Sequence, residues 1–492
     1  MLLLKNKMFF IPRLVNLKKY LVFPMQFKKV LSYSFGPLGG ALFSFITLPL
    51  IANFFSVEDL GRFSILQVSL SIGVMLFSLG LDQAFVREFH EYDNKPGLAK
   101  VMMLPNVLFF PLLIILFYFS PIIGSVLDFN GEFSSILIAL TLCLYILNNQ
   151  LGYIFRMEEK GFVYSLTIIT PKVVFFITTL VVIYGYKEFN FEYLILANFL
   201  SISATTIISV LCLSKGFFKP LKLDVDFVQL KKMLNFGLPL IIAGLAYTGL
   251  TTLDRFFIKS LSTLHEVGVY ALALGFASIA GIFSSIFSSM WHPILYRWVS
   301  EGVKISRIIM SIEVMILFLS FSWSFLGVFS FILVPFVPDS YQNLNYLFVA
   351  AVGVPLIYIL SEVTQVGIGI SRRTSFSILA SVVALVVNVT LNVILIPDYG
   401  ASGAAIATLI AFLVFFTVRT ESSVFLWQSF PRKKVYIILV LYISLSIALQ
   451  FYHVSFVVNS CLWMVLFLTT LIFFNARVKT LYFVYLRKRG RS

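Results

Sequence analysis

Apolar stretches of about twenty residues recur fourteen times along this chain of 492 residues. A helix that rises 1.5 Å per residue needs roughly 20 apolar residues to cross about 30 Å of hydrocarbon. Only 12% of the residues are charged and 59% are hydrophobic, so no segment is polar enough for a separate soluble domain. The sequence therefore predicts an all-α polytopic membrane protein. Its spans are expected near 31–55, 63–87, 102–123, 133–157, 162–184, 191–214, 233–258, 268–291, 308–333, 342–368, 375–396, 401–424, 433–453 and 456–476.

The placement of Lys and Arg tests this count. If there are fourteen spans and both termini are cytoplasmic, 32 of the 37 Lys and Arg residues fall in cytoplasmic segments. The positive-inside rule requires such an asymmetry, and a wrong count would scramble it after the error. Of the five cations that are not counted as cytoplasmic, Lys172 and Arg255 lie inside spans. The last two spans are separated by little more than residues 453–455, so a single re-entrant hairpin is the alternative there.

Short loops and missing motifs argue against an enzyme. The longest interior loop, 292–307, leaves no room for a catalytic domain, and without a Gly-Lys dipeptide there is no Walker A phosphate loop. The isolated cysteines Cys143, Cys212 and Cys461 have no metal-ligand spacing and are expected to be buried apolar residues. The net charge of +15 follows the membrane topology and does not indicate a nucleic-acid partner. We therefore expect transport, with no cofactor and no metal.

Two local patterns recur about 200 residues apart. Residues 35–38 (FGPL) match 236–240 (FGLPL), and 58–63 (EDLGRF) match 265–270 (HEVGVY). Six spans separate the copies, and because six is even the two halves have the same orientation. This predicts a parallel repeat of two six-helix lobes, with the substrate site at their interface.

The repeat divides the chain into five parts. Asp226 is expected to cap a short surface helix in the linker between the lobes. The N-terminal segment is either a basic helix on the anionic inner leaflet or an over-extended reading frame whose true start is Met25. The parts are a basic N-terminal segment (1–29), an N-lobe (30–214), a cytoplasmic linker (215–232), a C-lobe (233–424) and a final helix pair with a basic tail (425–492).

Three blocks of residues carry a family resemblance. They are 57–63 with 79–87, then 235–239 with 253–255 and 267–270, and finally 388–392 with 396–408. In this order and spacing they resemble the bacterial polysaccharide transporter family. These are the Wzx-type O-antigen flippases of the multidrug/oligosaccharidyl-lipid/polysaccharide exporter superfamily. The resemblance covers roughly residues 30–425.

The resemblance implies two six-helix lobes around a central cavity in the bacterial inner membrane. It implies export of a lipid-linked oligosaccharide, a sugar chain on polyprenyl pyrophosphate, from the cytoplasmic to the periplasmic leaflet. The implied partners are this substrate, membrane lipid, and polysaccharide polymerase and chain-length proteins. Two alternatives remain at this point. A drug/cation antiporter of the same superfamily would need an acidic cavity, and a glycan polymerase or ligase would need a long external loop.

Lys172 is the first candidate site residue. It lies about ten residues into span five, hence about 15 Å deep by helix rise. An ammonium group at that depth is costly unless it faces a cavity or a partner. We therefore expect Lys172 either to bind the lipid pyrophosphate in a central cavity or to pair with a buried carboxylate or with carbonyls freed by Pro171.

Two acid–base pairs mark the ends of spans two and seven. Asp82 and Arg87 close span two on the cytoplasmic side, where Arg87 either gathers the incoming pyrophosphate or anchors the span. Asp254 and Arg255 lie near the outer end of span seven and point about 100° apart. One of them is expected to face the cavity while the other meets the opposite lobe, as a gate pair or as a substrate contact.

A third set of polar residues lies in spans ten and eleven. Glu362 and Gln365 share a face of span ten, and Glu362 either carries a coupling proton or cation or serves only the helix contact. Asn388 and Asn392 are expected to hydrogen-bond between helices.

Overall fold

The structure is a computed structural model that describes residues 24–119, 122–129, 131–186, 189–213, 226–302, 305–341, 343–452 and 454–479. Within these ranges it contains helices and no β-strand, and thirteen helices are long and apolar enough to cross a membrane. Residues 1–23 of the predicted N-terminal segment, the linker up to 225 and the tail after 479 lie outside the described residues. The chain is a multi-pass membrane protein built almost wholly of α-helices, as its sequence predicts.

Seventeen α-helices lie in the described ranges, with one 3-10 helix at Ser330–Phe336. The first bundle contains α1 (Pro24–Phe54), α2 (Val57–Phe77), α3 (Leu81–Glu88), α4 (Lys95–Phe119), α5 (Ile122–Leu127), α6 (Glu132–Met157), α7 (Gly161–Gly185) and α8 (Phe191–Leu211). The second contains α9 (Phe227–Thr252), α10 (Asp254–Leu261), α11 (Leu264–Ser300), α12 (Ile305–Phe329), α13 (Leu344–Thr364), α14 (Val366–Ser371) and α15 (Ser375–Leu426). A final pair follows, α16 (Lys433–Phe451) and α17 (Phe456–Phe473).

The fourteenth crossing is contained in α15, which is 52 residues long and folds back on itself at Gly400. Gly400 has φ 51° and ψ −127°, a backbone conformation that residues with a side chain rarely adopt. The Ala401 amide beyond the bend donates to the Glu266 carboxylate at 2.8 Å. The two arms of α15 correspond to the separate spans predicted at 375–396 and 401–424, so the described residues contain the fourteen predicted crossings.

The final helix pair packs on the outside of the second bundle. α17 lies against α12, α16 lies against α13, and each is long enough to cross the membrane. The Trp463 indole donates to Asn459 at 3.2 Å, and Asn459 donates to the Gly327 carbonyl at 2.9 Å. This packing agrees with two spans and not with a single re-entrant hairpin.

Several predicted boundaries are wrong, because hydropathy marks where apolar character ends and not where the helix ends. Asp82 and Arg87 do not close span two but lie on the separate helix α3, after Leu79 and Gly80 with φ of 53° and 65°. The predicted loop 292–307 is mostly helix, since α11 continues to Ser300 and α12 begins at Ile305.

The short linker helix predicted after Asp226 is not a separate element either. Asp226 accepts a hydrogen bond from the Gln229 amide at 2.9 Å and caps α9, which continues without a break to Thr252. The predicted linker therefore ends before residue 227, and the described part of its second half belongs to the first span of the second bundle.

The two bundles meet along α11, which packs against α1 and α2. We call the side with the helix ends Phe77, Met157 and Leu211 the basic face and the other side the opposite face; the basic face is predicted to be cytoplasmic. On the opposite face a Cβ at Gly268 would lie 2.0 Å from the Val57 carbonyl oxygen, so only glycine permits this approach.

Ion pairs and hydrogen bonds hold the bundles together on both faces. On the opposite face Lys259 pairs with Asp128 at 2.9 Å. On the basic face Lys232 pairs with Glu88 at 2.5 Å, and the Tyr92 hydroxyl donates to Asp226 at 2.9 Å. The Lys232 hydrogen bond keeps the pKa of Glu88 below its ordinary value. The two bundles therefore touch between α2 and α11 on the opposite face and between α3 and α9 on the basic face.

Candidate functional site: a basic cavity between the bundles

Three neighbouring chambers lie between and within the two bundles. The central chamber has a volume of 410 Å³, the N-terminal chamber 450 Å³ and the C-terminal chamber 520 Å³. Lys172 and Gln67 line both the central and the N-terminal chamber, while Leu274 and Ser278 line both the central and the C-terminal chamber. The shared lining residues place the chambers next to one another, and the central chamber lies at the interface predicted from the repeat.

Lys172 projects from α7 into this cavity. The preceding Pro171 also lines it, and the Lys172 side chain is exposed within the chamber. In the described part of the chain its ammonium group has no carboxylate partner and no hydrogen bond. Lys172 thus faces a cavity and forms no ion pair with a carboxylate among the described residues.

Arg255 lines the central chamber from the second bundle. Its Nε is buried and has no hydrogen-bond partner among the described residues. The guanidinium therefore faces the same space as Lys172 from the other side of the interface. The sequence predicts that either Asp254 or Arg255 faces the cavity, and in the structure it is Arg255.

Asp254 points the other way, into the second bundle. It is 1% exposed and accepts hydrogen bonds from Tyr270 Oη at 2.7 Å, Asn392 Nδ2 at 2.7 Å and Thr408 Oγ1 at 2.5 Å. Asn388 Nδ2 donates to Thr408 at 3.2 Å. The hydrogen bonds predicted for the two asparagines are present. The expected contact of Asp254 with the opposite lobe is wrong, because all these donors belong to its own bundle.

The central and N-terminal chambers carry positive charge, and none of the three chambers carries negative charge in its described lining. Their described lining residues include Lys172, Arg255 and Arg156 but no Asp or Glu. Amides and hydroxyls supply most of the remaining polar lining. Such a lining suits an anionic ligand, because its cations have no internal carboxylate to neutralise them.

Glu362 is held by Arg419, which lies in the second arm of α15. Arg419 Nη1 pairs with Glu362 at 2.9 Å and donates to Ser361 at 2.8 Å, while Nη2 donates to Gln365. Both members of the ion pair are buried, and the guanidinium also lies over the Phe415 ring at 4.8 Å. Arg419 falls inside the predicted span 401–424, and a cation at that position is the sequence signal for a buried ion pair.

The charged residues of α3 lie outside the three chambers. Arg87 stacks on the Phe236 ring of α9 at 4.4 Å, at the basic-face contact between the bundles. Asp82 accepts from Gln83 at 3.3 Å, and Gln83 also donates to the Tyr153 hydroxyl at the N-terminal chamber. Both residues are thus positioned at the basic-face end of the cavity, not within it.

Sequence reasoning could not select the tyrosines that line the chambers. Tyr145, Tyr153 and Tyr164 face the N-terminal chamber, and Tyr247 and Tyr358 face the C-terminal chamber. With 22 tyrosines in the chain, no local signal separates these from the ones that face lipid or the helix packing.

The fold and the cavity define a multi-pass membrane protein with two helical bundles around a basic chamber. The model of the polysaccharide biosynthesis protein family matches residues 27–299, more than half of the chain. The chain belongs to this family. The resemblance noted in its sequence blocks is thereby confirmed.

Solved structures agree on the fold. The lipid II flippase MurJ in an inward closed conformation matches with a TM-score of 0.68 and 15% identity, over 91% of this chain and 99% of that one. An inward-facing multidrug resistance MATE family transporter of the MOP superfamily matches with a TM-score of 0.57 and 15% identity, over 78% and 97% of the two chains. A comparison with curated protein sequences gave no match. At these identities the likeness establishes the architecture alone.

Proposed function

We propose that the protein is a flippase that exports polyprenyl-pyrophosphate-linked oligosaccharide repeat units of an O-antigen or another surface polysaccharide. It moves them from the cytoplasmic to the periplasmic leaflet of the bacterial inner membrane and does not alter them chemically. The observation that carries the proposal is the pairing of Lys172 and Arg255 across a chamber whose described lining contains no carboxylate. The family match to a polysaccharide biosynthesis protein supports the substrate class.

The pyrophosphate is assigned to the space between these two cations. A charged side chain within a membrane costs roughly 2.5–3.5 kcal/mol on insertion scales. Neither Lys172 nor Arg255 forms an ion pair with a carboxylate among the described residues, so a bound anion would offset much of that cost. Lys suits phosphate oxygens as a point charge and Arg as a fork, so the two together can hold a pyrophosphate from opposite bundles.

Transport proceeds by alternating access. In the inward-open state the basic-face contacts Glu88–Lys232 and Tyr92–Asp226 separate. The close contact between Gly268 and Val57 on the opposite face persists. The headgroup then binds while the polyprenyl tail stays in lipid. The bundles rock against each other, so that the basic-face contacts form again and the opposite-face contact separates. In this scheme Arg87 and Asp82, at the basic-face end of the cavity, belong to the gate, and Arg87 meets the incoming anion first.

The membrane potential favours the outward movement of an anion by roughly 2.3 kcal/mol per charge per 100 mV. Two negative charges thus gain about 4–5 kcal/mol, enough to bias direction without ATP. Coupling to a proton or a cation would add to this, and we assign that role to Asp254. Unlike Glu362, whose charge Arg419 balances, Asp254 receives only neutral donors. In proteoliposomes, Asp254→Asn should abolish ion-coupled transport; undiminished coupling in that variant would exclude this role.

The other candidates fit the cavity less well. A drug/cation antiporter has the same fold, but the chambers offer a cationic drug no carboxylate among their described lining residues. A polymerase or ligase would need an external catalytic loop, and the described connections on the opposite face are short. A polysaccharide polymerase and chain-length proteins remain the partners expected to receive the exported units.

Gene deletion tests the proposed function directly. Cells without the gene should accumulate lipid-linked repeat units on the cytoplasmic side and lose the surface polymer, and the wild-type gene should restore both. Unchanged surface polymer, with no lipid-linked glycan accumulating, would refute the proposal. Drug sensitivity without any glycan phenotype would favour the antiporter.

A further inference from the structure

The C-terminal chamber differs chemically from the rest of the cavity. It is lined by Ser, Thr and Tyr side chains and by apolar residues, and no charged residue is found in its described lining. It shares Leu274 and Ser278 with the central chamber. The part of a ligand that extends from Lys172 and Arg255 towards Leu274 and Ser278 therefore comes next to this chamber.

The hydroxyls of this chamber face it mainly as acceptors. Ser278 Oγ donates to the Gly275 carbonyl at 2.6 Å, and Ser285 Oγ donates to the Gly281 carbonyl at 3.2 Å. Thr251 Oγ1 donates to the Thr248 carbonyl at 3.0 Å. Each proton is used within its own helix, so the lone pairs of each oxygen remain for a ligand. A ligand rich in hydroxyl donors is complementary to this surface, whereas a phosphate, which only accepts, is not.

One wall of the chamber is aromatic. The rings of Tyr247 and Tyr358 lie 6.0 Å apart, and Tyr358 stacks on Phe415 with an interplanar angle of 14°. Packing between rings holds this wall in place. An apolar wall opposite a small number of placed polar groups is the usual composition of a small-molecule site, and 520 Å³ falls within the usual size range.

We propose that the C-terminal chamber is the glycan subsite and that it takes uncharged sugar residues of the lipid-linked oligosaccharide. The sugar hydroxyls donate to Ser278, Ser285 and Thr251, and the carbon faces of the rings lie against Tyr247 and Tyr358. This inference rests on the proposed flippase function, since the sugar chain is attached to the pyrophosphate held at Lys172 and Arg255. The N-terminal chamber, which contains Arg156, is not assigned to neutral sugars.

The test separates glycan binding from pyrophosphate binding. The full-length protein in nanodiscs is titrated with bare undecaprenyl pyrophosphate and with the lipid-linked glycan that accumulates in the deletion strain. Ser285→Phe fills the chamber, and Tyr247→Ala removes part of its wall. Tyr270 and Thr408 are left intact because they hold Asp254. The control Ile279→Phe adds the same ring on the α11 face that carries Phe283, which stacks on Phe318 of α12.

The wild type should bind the glycan lipid about tenfold more tightly than the bare lipid, the effect expected from one or two additional hydrogen bonds. Both chamber variants should lose this preference and keep their affinity for the bare lipid, while Ile279→Phe should behave as wild type. A preference that persists in both chamber variants, or that is absent from the wild type, overturns the glycan subsite. Binding of neither lipid by the wild type would instead refute the proposed function itself.

Discussion

Lys172→Ala gives the sharpest test of the basic cavity, because function and stability should change in opposite directions. Lys172 is exposed in a chamber of 410 Å³ and has no partner among the described residues. Its charge-assisted hydrogen bond to a phosphate oxygen would be worth about 1.5–3 kcal/mol. The variant should therefore bind undecaprenyl pyrophosphate roughly 10- to 150-fold more weakly.

The same substitution should not destabilise the protein. A cation within the membrane costs roughly 2.5–3.5 kcal/mol, and removing one that has no partner releases that cost. The thermal unfolding temperature of Lys172→Ala in detergent should therefore equal or exceed that of the wild type. A lysine paired with a buried carboxylate would behave in the opposite way, since its loss leaves a buried charge.

Three measurements together test the role of Lys172: lipid binding, export in complemented deletion cells and thermal unfolding. Lys172→Arg is the matched control, because it keeps the positive charge at the same position on α7 and should retain part of both binding and export. Full export by Lys172→Ala would refute the assigned role. A clear drop in its unfolding temperature would show that Lys172 is structural.

Three further predictions concern the ion pairs and the gates. Arg419→Met should lower the free energy of unfolding by about 3–5 kcal/mol, because it leaves Glu362 buried without its partner. The double variant Arg419→Met, Glu362→Gln should regain much of this lost stability, as measured by thermal unfolding. Gly268→Leu should hold the opposite-face contact open and raise the labelling of a cysteine introduced in the central chamber by a membrane-impermeant thiol reagent. The basic-face contact should be insensitive to pH between about 6 and 8, because Lys232 lowers the pKa of Glu88, and spin-label distances across that face report it.

The sign of the pH effect follows from the direction of the shift. A carboxylate whose pKa is lowered in the closed contact stabilises that contact above its ordinary pKa, and the stabilisation is lost as the pH falls through the lowered value. Opening of this face between pH 6 and pH 8 would therefore contradict the assignment to Glu88. For Gly268→Leu the control is Gly185→Leu, since a Cβ at Gly185 meets no atom within 4 Å. Equal labelling in the two variants would contradict the gate.

Local properties of the sequence were sufficient for the architecture. Hydropathy and the distribution of Lys and Arg gave fourteen spans, and the two arms of α15 with the pair α16 and α17 confirm the most ambiguous of them. The wrongly predicted helix boundaries have one physical cause. Gly80 and Asp226 mark where the backbone turns or a helix begins, and hydropathy does not report backbone geometry.

The sequence by itself determined the membrane fold and singled out the cations Lys172 and Arg255, because each of these depends on residue type and spacing along the chain. Only the tertiary structure decided what each charge faces. Neither Lys172 nor Arg255 forms an ion pair with a carboxylate among the described residues, while Arg419 neutralises Glu362 from 57 positions away. Asp254 is held within its own bundle by donors from α11 and both arms of α15. Such pairings depend on which helix faces meet, and a single sequence does not specify that.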